Sequence, residues 1–155
     1  MPEVRSGLVA LLGSGETSPS GGLAFEAVVS RLAGPPRVAV LETPAGFKLN
    51  SAQVAGRVAD FLRQRLQNYK PEVAVVPARK RHTTFSPDDP ALARLLLKAN
   101  LIFLGPGSPT YAVRQLRDSQ VWHTLVAQQR LGAAIVRTSG QRGNGCHWHA
   151  RLARI

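Results

Sequence analysis

Residues 101–116 have the sequence LIFLGPGSPTYAVRQL, in which an apolar run is followed by a glycine-rich bend and then by a helical pattern. A short, continuously apolar run such as 101–104 is typical of a strand that is buried on both faces. Glycine and proline at 105–109 end the strand and lead into one or two helices over residues 110–131. This strand–loop–helix unit predicts an α/β fold.

The same alternation extends along the chain in both directions. Four more short apolar runs, at 8–12, 37–41, 73–76 and 133–136, bring the predicted strands to five. Helical patterns separate them at 22–32, 52–69 and 86–97. Strands that alternate with helices in this way need right-handed crossovers. We therefore predict a doubly wound, mostly parallel five-stranded sheet with helices on both faces.

Length and composition restrict the class of protein. A chain of 155 residues that is 44% hydrophobic has the size of one domain. No apolar run reaches the roughly 18 residues of a membrane helix, and residues 1–16 do not have the pattern of a secretory signal. The single cysteine, Cys146, cannot form an internal disulfide. We expect a soluble cytoplasmic protein that has no membrane partner.

The charge is strongly positive, with 20 Lys and Arg against 9 Asp and Glu, a net charge of +11. The arginines are scattered along predicted helix faces, and the one tight basic run is 79–82, Arg-Lys-Arg-His. We expect this run to be a solvated loop, with a binding patch as the alternative. The sequence shows neither stacking aromatics nor a reading helix beside it, so nucleic acid is an unlikely partner.

The glycines and serines concentrate where predicted strands end, which in a parallel α/β sheet is the edge that binds ligands. They are Gly13, Ser14 and Gly15 after the first strand, Gly105, Gly107 and Ser108 after the fourth, and Ser139 after the fifth. The backbone N–H groups of 13–15 could hold an anion, although neither a dinucleotide fingerprint nor a Walker loop is present. A simple tight turn is the alternative there.

Ser139 is the candidate nucleophile. A serine at the end of an apolar strand, with a helix expected next, has the position of a nucleophile elbow. The N–H of Gly140 would then form one part of an oxyanion hole, and that of Gly107 a second. A serine of an ordinary turn is the alternative, because serine is common after strands.

Four segments together resemble the cyanophycinase and aspartyl-dipeptidase family of serine peptidases: LLGSGE, LETPAGF, NLIFLGPGSPTYAVRQLRDSQVW and LGAAIVRTSG. The resemblance spans about residues 8–139. It implies a flavodoxin-like fold of the class I glutamine-amidotransferase type and hydrolysis of small peptides or isopeptides. It also implies that Ser139 is the nucleophile and that Gly105, Gly107 and Ser108 lie beside the oxyanion site. No cofactor is expected.

The chain departs from the family at this serine. The family elbow is Gly-x-Ser-Ala-Gly, whereas residues 137–141 are Arg-Thr-Ser-Gly-Gln. No acid follows Asp118, and His147 and His149 are too close to Ser139 to match the family base. A serine without a base is a poor nucleophile, so we expect a weak or inactive copy. The alternative function is a non-catalytic domain that binds a small anion or another ligand.

The last segment differs in composition from the rest. We divide the chain into an incomplete α/β domain, 1–140, and an atypical basic tail, 141–155, which contains no acid. With one choice of codons for residues 142–149, a one-base shift of the reading frame gives Gly-Ala-Met-Ala-Val-Ile-Gly-Thr, which looks like the family's continuation after its serine. We therefore hypothesise a frameshifted, truncated member of the family. Cys146 and the two nearby histidines make a poor zinc site, so no metal is expected. An incomplete domain would expose apolar surface, which makes a homodimer one expected outcome.

Overall fold

A computed structural model describes residues 5–13 and 15–138, and this region forms one all-parallel sheet with helices on both faces. Its strands are β1 (Val9–Leu12), β2 (Arg37–Leu41), β3 (Glu72–Val76), β4 (Leu101–Leu104) and β5 (Ala134–Thr138). All five predicted strands are present in the described region, each within two residues of its expected limits. The predicted α/β fold is confirmed.

Helices cross between the strands, and most of them begin with a side-chain cap. They are α1 (Pro19–Val29), α2 (Ser51–Arg65), α3 (Pro90–Arg94), α4 (Pro109–Leu116) and α5 (Gln120–Arg130). Ser18, Ser108 and Ser119 each accept a hydrogen bond from a backbone N–H in the first turn of the helix that follows. Within the described ranges, no helix has both the length and the hydropathy to cross a membrane.

Helix α3 is shorter than the predicted 86–97 helix. It begins after Asp89, whose carboxylate accepts from the N–H of Ala91, rather than near Ser86. After Arg94 the chain tightens, because the N–H groups of Leu95 and Leu97 bond to carbonyls three residues earlier. Of the three consecutive leucines only Leu96 is buried. The α-helix therefore ends earlier than the pattern predicts, and the next turn has 3₁₀-type hydrogen bonds.

The core consists of two apolar layers, one on each face of the sheet. On one face Ile102 and Ile135 pack with residues of α3, α4 and α5. On the other, Phe103 packs with α1 and α2, and its ring meets that of Phe25 edge-on at 5.2 Å. Burial on both faces explains why the strands appear in the sequence as continuous apolar runs.

The strand order is β1-β5-β4-β2-β3. From β2 the chain moves to β3 on one side, and from there it returns past β2 to β4 on the other. The topological switch point therefore lies between β2 and β4, where parallel α/β proteins place their ligand sites. The loops that follow these two strands are the ones to examine for a site.

Candidate functional site

The loop after β4 is hydrogen-bonded to the loop after β2 at this switch point. The N–H of Ser108 donates to the carbonyl of Pro44 at 2.8 Å, and that of Gly105 donates to the carbonyl of Leu41 at 3.3 Å. The hydroxyl of Ser108 accepts from the N–H of Tyr111 and so caps α4. The structure thus brings the predicted residues 105–108 to the ligand edge, with the Ser108 side chain engaged in capping the helix.

Gly107 cannot be replaced by a larger residue without moving the loop. Its φ is 152°, and a Cβ added there would lie 2.1 Å from the carbonyl oxygen of Pro44. Both the backbone conformation and the close approach therefore require glycine. Among residues 5–13 and 15–138, no backbone hydrogen bond in the loops is donated by the N–H of Gly107. The role of the Gly107 N–H as an oxyanion donor stays a prediction.

The carboxyl end of β5 lies next to this glycine loop. In the parallel register, Leu104 of β4 pairs with Arg137, so Thr138 is adjacent to the start of the 105–108 loop. Ser139, Gly140 and the whole 141–155 tail lie outside the described residues. The nucleophile and its distance to Gly107 consequently remain predictions.

A small cavity lies between the ends of β4 and β5. Its volume is about 10 Å³, which is room for one water-sized atom. It is lined by Pro44, Leu104, Gly105, Gly107, Pro109, Ala112, Arg137 and Thr138. Arg137 is the only charged residue among these, and burial lowers the pKa of its guanidinium. The described part of the wall is therefore mostly apolar, with one cation.

Arg137 and Thr138 send their side chains to opposite faces of the sheet, as successive strand residues do. Arg137 follows Ile135 on the face packed against α4 and α5, whereas Thr138 follows Val136 on the α1 and α2 face. The Oγ1 of Thr138 is buried and finds no hydrogen-bond partner in the described part of the chain.

Sequence reasoning missed a buried ion pair at the same edge. Glu42, directly after β2, accepts from Nε of Arg79 at 2.6 Å and from Oγ of Ser51 at 3.2 Å. The Arg79 guanidinium lies over the ring of Phe85, 4.2 Å from its centroid. A charged residue at the end of an apolar strand was the available signal, because that position faces the ligand edge.

Arg79 also connects the loop after β3 to α4. Its carbonyl accepts a hydrogen bond from the Tyr111 hydroxyl at 3.0 Å, and burial raises the pKa of that hydroxyl. Arg81, from the same basic run, pairs with Asp88 at 3.3 Å. The expectation of a solvated loop over 79–82 is therefore wrong for these two arginines, which bind acids of the chain itself.

The first glycine loop does not join this site. It follows β1, which is separated from β4 by β5. Gly15 has a φ of 84°, and its carbonyl accepts from the N–H of Ser18, the cap of α1. These bonds describe a turn, and Ser14 lies outside the described residues. An anion site at Gly13–Gly15 stays a prediction. The absence of a metal also stays a prediction; residues 5–13 and 15–138 contain no cluster of three or more side chains that could ligate one.

Comparisons with known proteins show the fold. No family model matches the chain, and no curated protein matches it. Among solved structures, the chain is similar to a peptidase from an acI-B1 Actinobacterium, with a TM-score of 0.74 and 22% sequence identity. The alignment covers 88% of this chain and 55% of that one, so this chain spans about half the length of the peptidase.

Proposed function

We propose that this chain is a serine-peptidase-like hydrolase of the cyanophycinase and aspartyl-dipeptidase type, with Ser139 as nucleophile and small peptides or isopeptides as substrates. The observation that supports it best is the β4–β5 register, which sets Arg137 beside Leu104 and so sets the end of β5 beside the 105–108 loop. The similarity in fold to a peptidase is consistent with the proposal.

Covalent geometry limits where the nucleophile can be. Consecutive Cα atoms are about 3.8 Å apart. The residue after Thr138 is therefore bonded to the edge of the sheet that also holds Gly107. In the proposed reaction, Oγ of Ser139 bonds to the substrate carbonyl carbon, and the N–H groups of Gly107 and Gly140 stabilise the oxyanion. The C–N bond then breaks, and the serine proton leaves on the amine. Water cleaves the resulting ester and restores the hydroxyl.

A fluorophosphonate probe tests the nucleophile directly, because it reports serine reactivity even when turnover is slow. We expect slow labelling of the wild type, loss of labelling in Ser139→Ala, and unchanged labelling in Ser20→Ala, which removes an exposed serine of α1. A wild type that remains unlabelled, or equal labelling of Ser139→Ala, rejects the proposal.

The second candidate is a non-catalytic ligand-binding domain of the same fold. The observation that favours it is Arg137, which lines the cavity beside Gly107 at a position where the resembling family has glycine. A domain of this kind would bind a small ligand at the ligand edge and show no labelling of Ser139. The probe experiment therefore separates the two candidates.

A further inference from the structure

The loop after β2 presents an aromatic ring at the ligand edge that the site described above does not use. Phe47 is half-exposed, and its ring meets that of Tyr111 edge-on, with centroids 5.1 Å apart and planes at 64°. Tyr111 is in the first turn of α4, which follows the 105–108 loop directly. The two rings therefore lie at the switch point, where the loops after β2 and β4 meet.

The Phe47 ring is carried by a backbone that is fixed on both sides. The N–H groups at 46 and 48 each donate to a carbonyl three residues earlier. A Cβ added to Gly46 would lie 2.2 Å from the carbonyl oxygen of Arg79, and this same oxygen accepts from the Tyr111 hydroxyl. Both aromatic residues are thus anchored on the backbone of Arg79. An exposed ring that is already held in place loses little freedom when a ligand packs against it.

The next residue, Lys48, places a cation beside the same ring. Its side chain is exposed, and its Nζ lies 5.8 Å from the centroid of the Phe47 ring. The ion pairs within residues 5–13 and 15–138 do not include Lys48, whereas Arg79 and Arg81 both pair with acids there. A ring beside a cation of this kind is complementary to a ligand that has an aromatic group and a negative charge close together.

The C-terminal residue of a short peptide has both of these groups when its side chain is aromatic. Its ring can pack against the exposed half of Phe47 while its α-carboxylate faces the ammonium of Lys48. Pro44, against which Gly107 packs, is three residues from Phe47, a span of at most about 11 Å. The peptide bond before the bound residue can therefore extend toward the 105–108 loop.

We propose that short peptides with an aromatic C-terminal residue bind at this edge, with the side chain on Phe47 and the terminal carboxylate at Lys48. Side chains on loops that a rigid sheet positions are well suited to such recognition. The identification of this residue as the leaving group rests on the proposed function, whereas its binding needs no reactive Ser139.

The test measures binding in Ser139→Ala, which would hold a peptide without cleaving it. The ¹⁵N-labelled full chain is titrated with the dipeptide Gly-Phe, with Gly-Gly and with Gly-Phe amide at constant ionic strength. Gly-Phe should give saturable shifts of the Phe47 and Tyr111 amides, with a dissociation constant on the order of millimolar because the ligand is small. Gly-Gly lacks the ring and should bind at least about fivefold more weakly. Gly-Phe amide lacks the carboxylate and should bind about threefold more weakly.

Two variants assign each preference to its side chain. Phe47→Ala should remove the preference for Gly-Phe over Gly-Gly, and Lys48→Gln should remove the preference for Gly-Phe over its amide. The matched controls are Leu23→Ala, an exposed apolar residue of α1, and Lys98→Gln, an exposed cation before β4 at the opposite edge of the sheet. Both preferences should persist in the controls.

The proposal is overturned by the absence of saturable shifts with Gly-Phe, by equal affinity for Gly-Phe and Gly-Gly, or by preferences that survive Phe47→Ala and Lys48→Gln. The comparison of the three peptides decides even if a variant fails to fold. Labelling and binding also fail separately. Peptide binding without fluorophosphonate labelling of the wild type rejects the nucleophile and keeps this site, whereas labelling of Ser139 without peptide binding rejects this site alone.

Discussion

Neutralising one partner of the Glu42–Arg79 pair should destabilise the fold by an amount that depends on which partner is removed. The two side chains are unequally buried, 2% exposed for Glu42 and 28% for Arg79. In Arg79→Met, the Glu42 carboxylate is left in a buried position, with Ser51 as its remaining side-chain donor among the described residues. In Glu42→Gln, the guanidinium keeps its contact with Phe85 and partial access to water.

The magnitudes follow from this asymmetry. Removing one partner of a buried pair costs about 3–5 kcal/mol when the other is left as an uncompensated buried charge, which is the situation of Arg79→Met. For Glu42→Gln we expect about 1–3 kcal/mol, because the amide oxygen can still accept from Ser51 and the orphaned Arg79 reaches solvent. The double variant Glu42→Met/Arg79→Met should recover part of the loss, since neither charge is then left alone.

Urea unfolding followed by circular dichroism measures these free energies, with equal m-values as the condition for comparing them. The matched control is the exposed pair Asp60–Arg63, 2.8 Å apart, whose side chains are 79% and 50% exposed. Neutralising Asp60 should cost no more than about 1 kcal/mol; Arg63 is left unchanged because its guanidinium also donates to the carbonyl of Val73. A larger loss in Glu42→Gln than in Arg79→Met, or strictly additive losses in the double variant, would refute the reasoning.

Two further predictions concern the glycine loop and the β1 edge. Gly107→Ala should lower the free energy of unfolding by at least about 2 kcal/mol, because alanine is strained at that φ and its Cβ meets Pro44. The control is Gly34→Ala, where an added Cβ meets nothing within 4 Å. Equal urea midpoints for the two variants would contradict the steric argument. Val9 and Leu11 are 43% and 48% exposed on an edge strand, so the wild type should self-associate as its concentration rises. Sedimentation velocity measures this, and Leu11→Lys should reduce the self-association. A wild type that stays monomeric at all concentrations would refute the homodimer expectation.

The strands could be predicted because the sheet is covered on both faces. In β2 and β4 nearly every residue is buried, so burial leaves an uninterrupted apolar run in the sequence. The loops that end these runs could be placed at one edge for the same reason, since all strands of a parallel sheet end on the same side. Gly105, Gly107 and Ser108 were located by this argument, and the structure places them at the switch point.

The Glu42–Arg79 pair could not be predicted because it depends on strand order. The two residues are 37 positions apart and meet only because β3 lies beside β2. A sequence that alternates strands and helices is compatible with several orders of the strands, and each order would bring different loop residues together. The basic run at 79–82 therefore looked like a solvated loop, although Arg79 reaches a carboxylate that no local pattern connects to it.

The exposed β1 face and the half-buried Arg137 have one physical origin. Ile135 is buried while Val9, its register partner on the same face, is not, so the described helices of that layer end over β5. Arg137 is the register partner of Leu11 and lies at this boundary. Its guanidinium can therefore reach water from a strand position that would otherwise be apolar. Any element that covers β1 would remove that water and raise the cost of the charge. Docking on β1 is therefore opposed by the desolvation of Arg137, against what it gains from covering Val9 and Leu11.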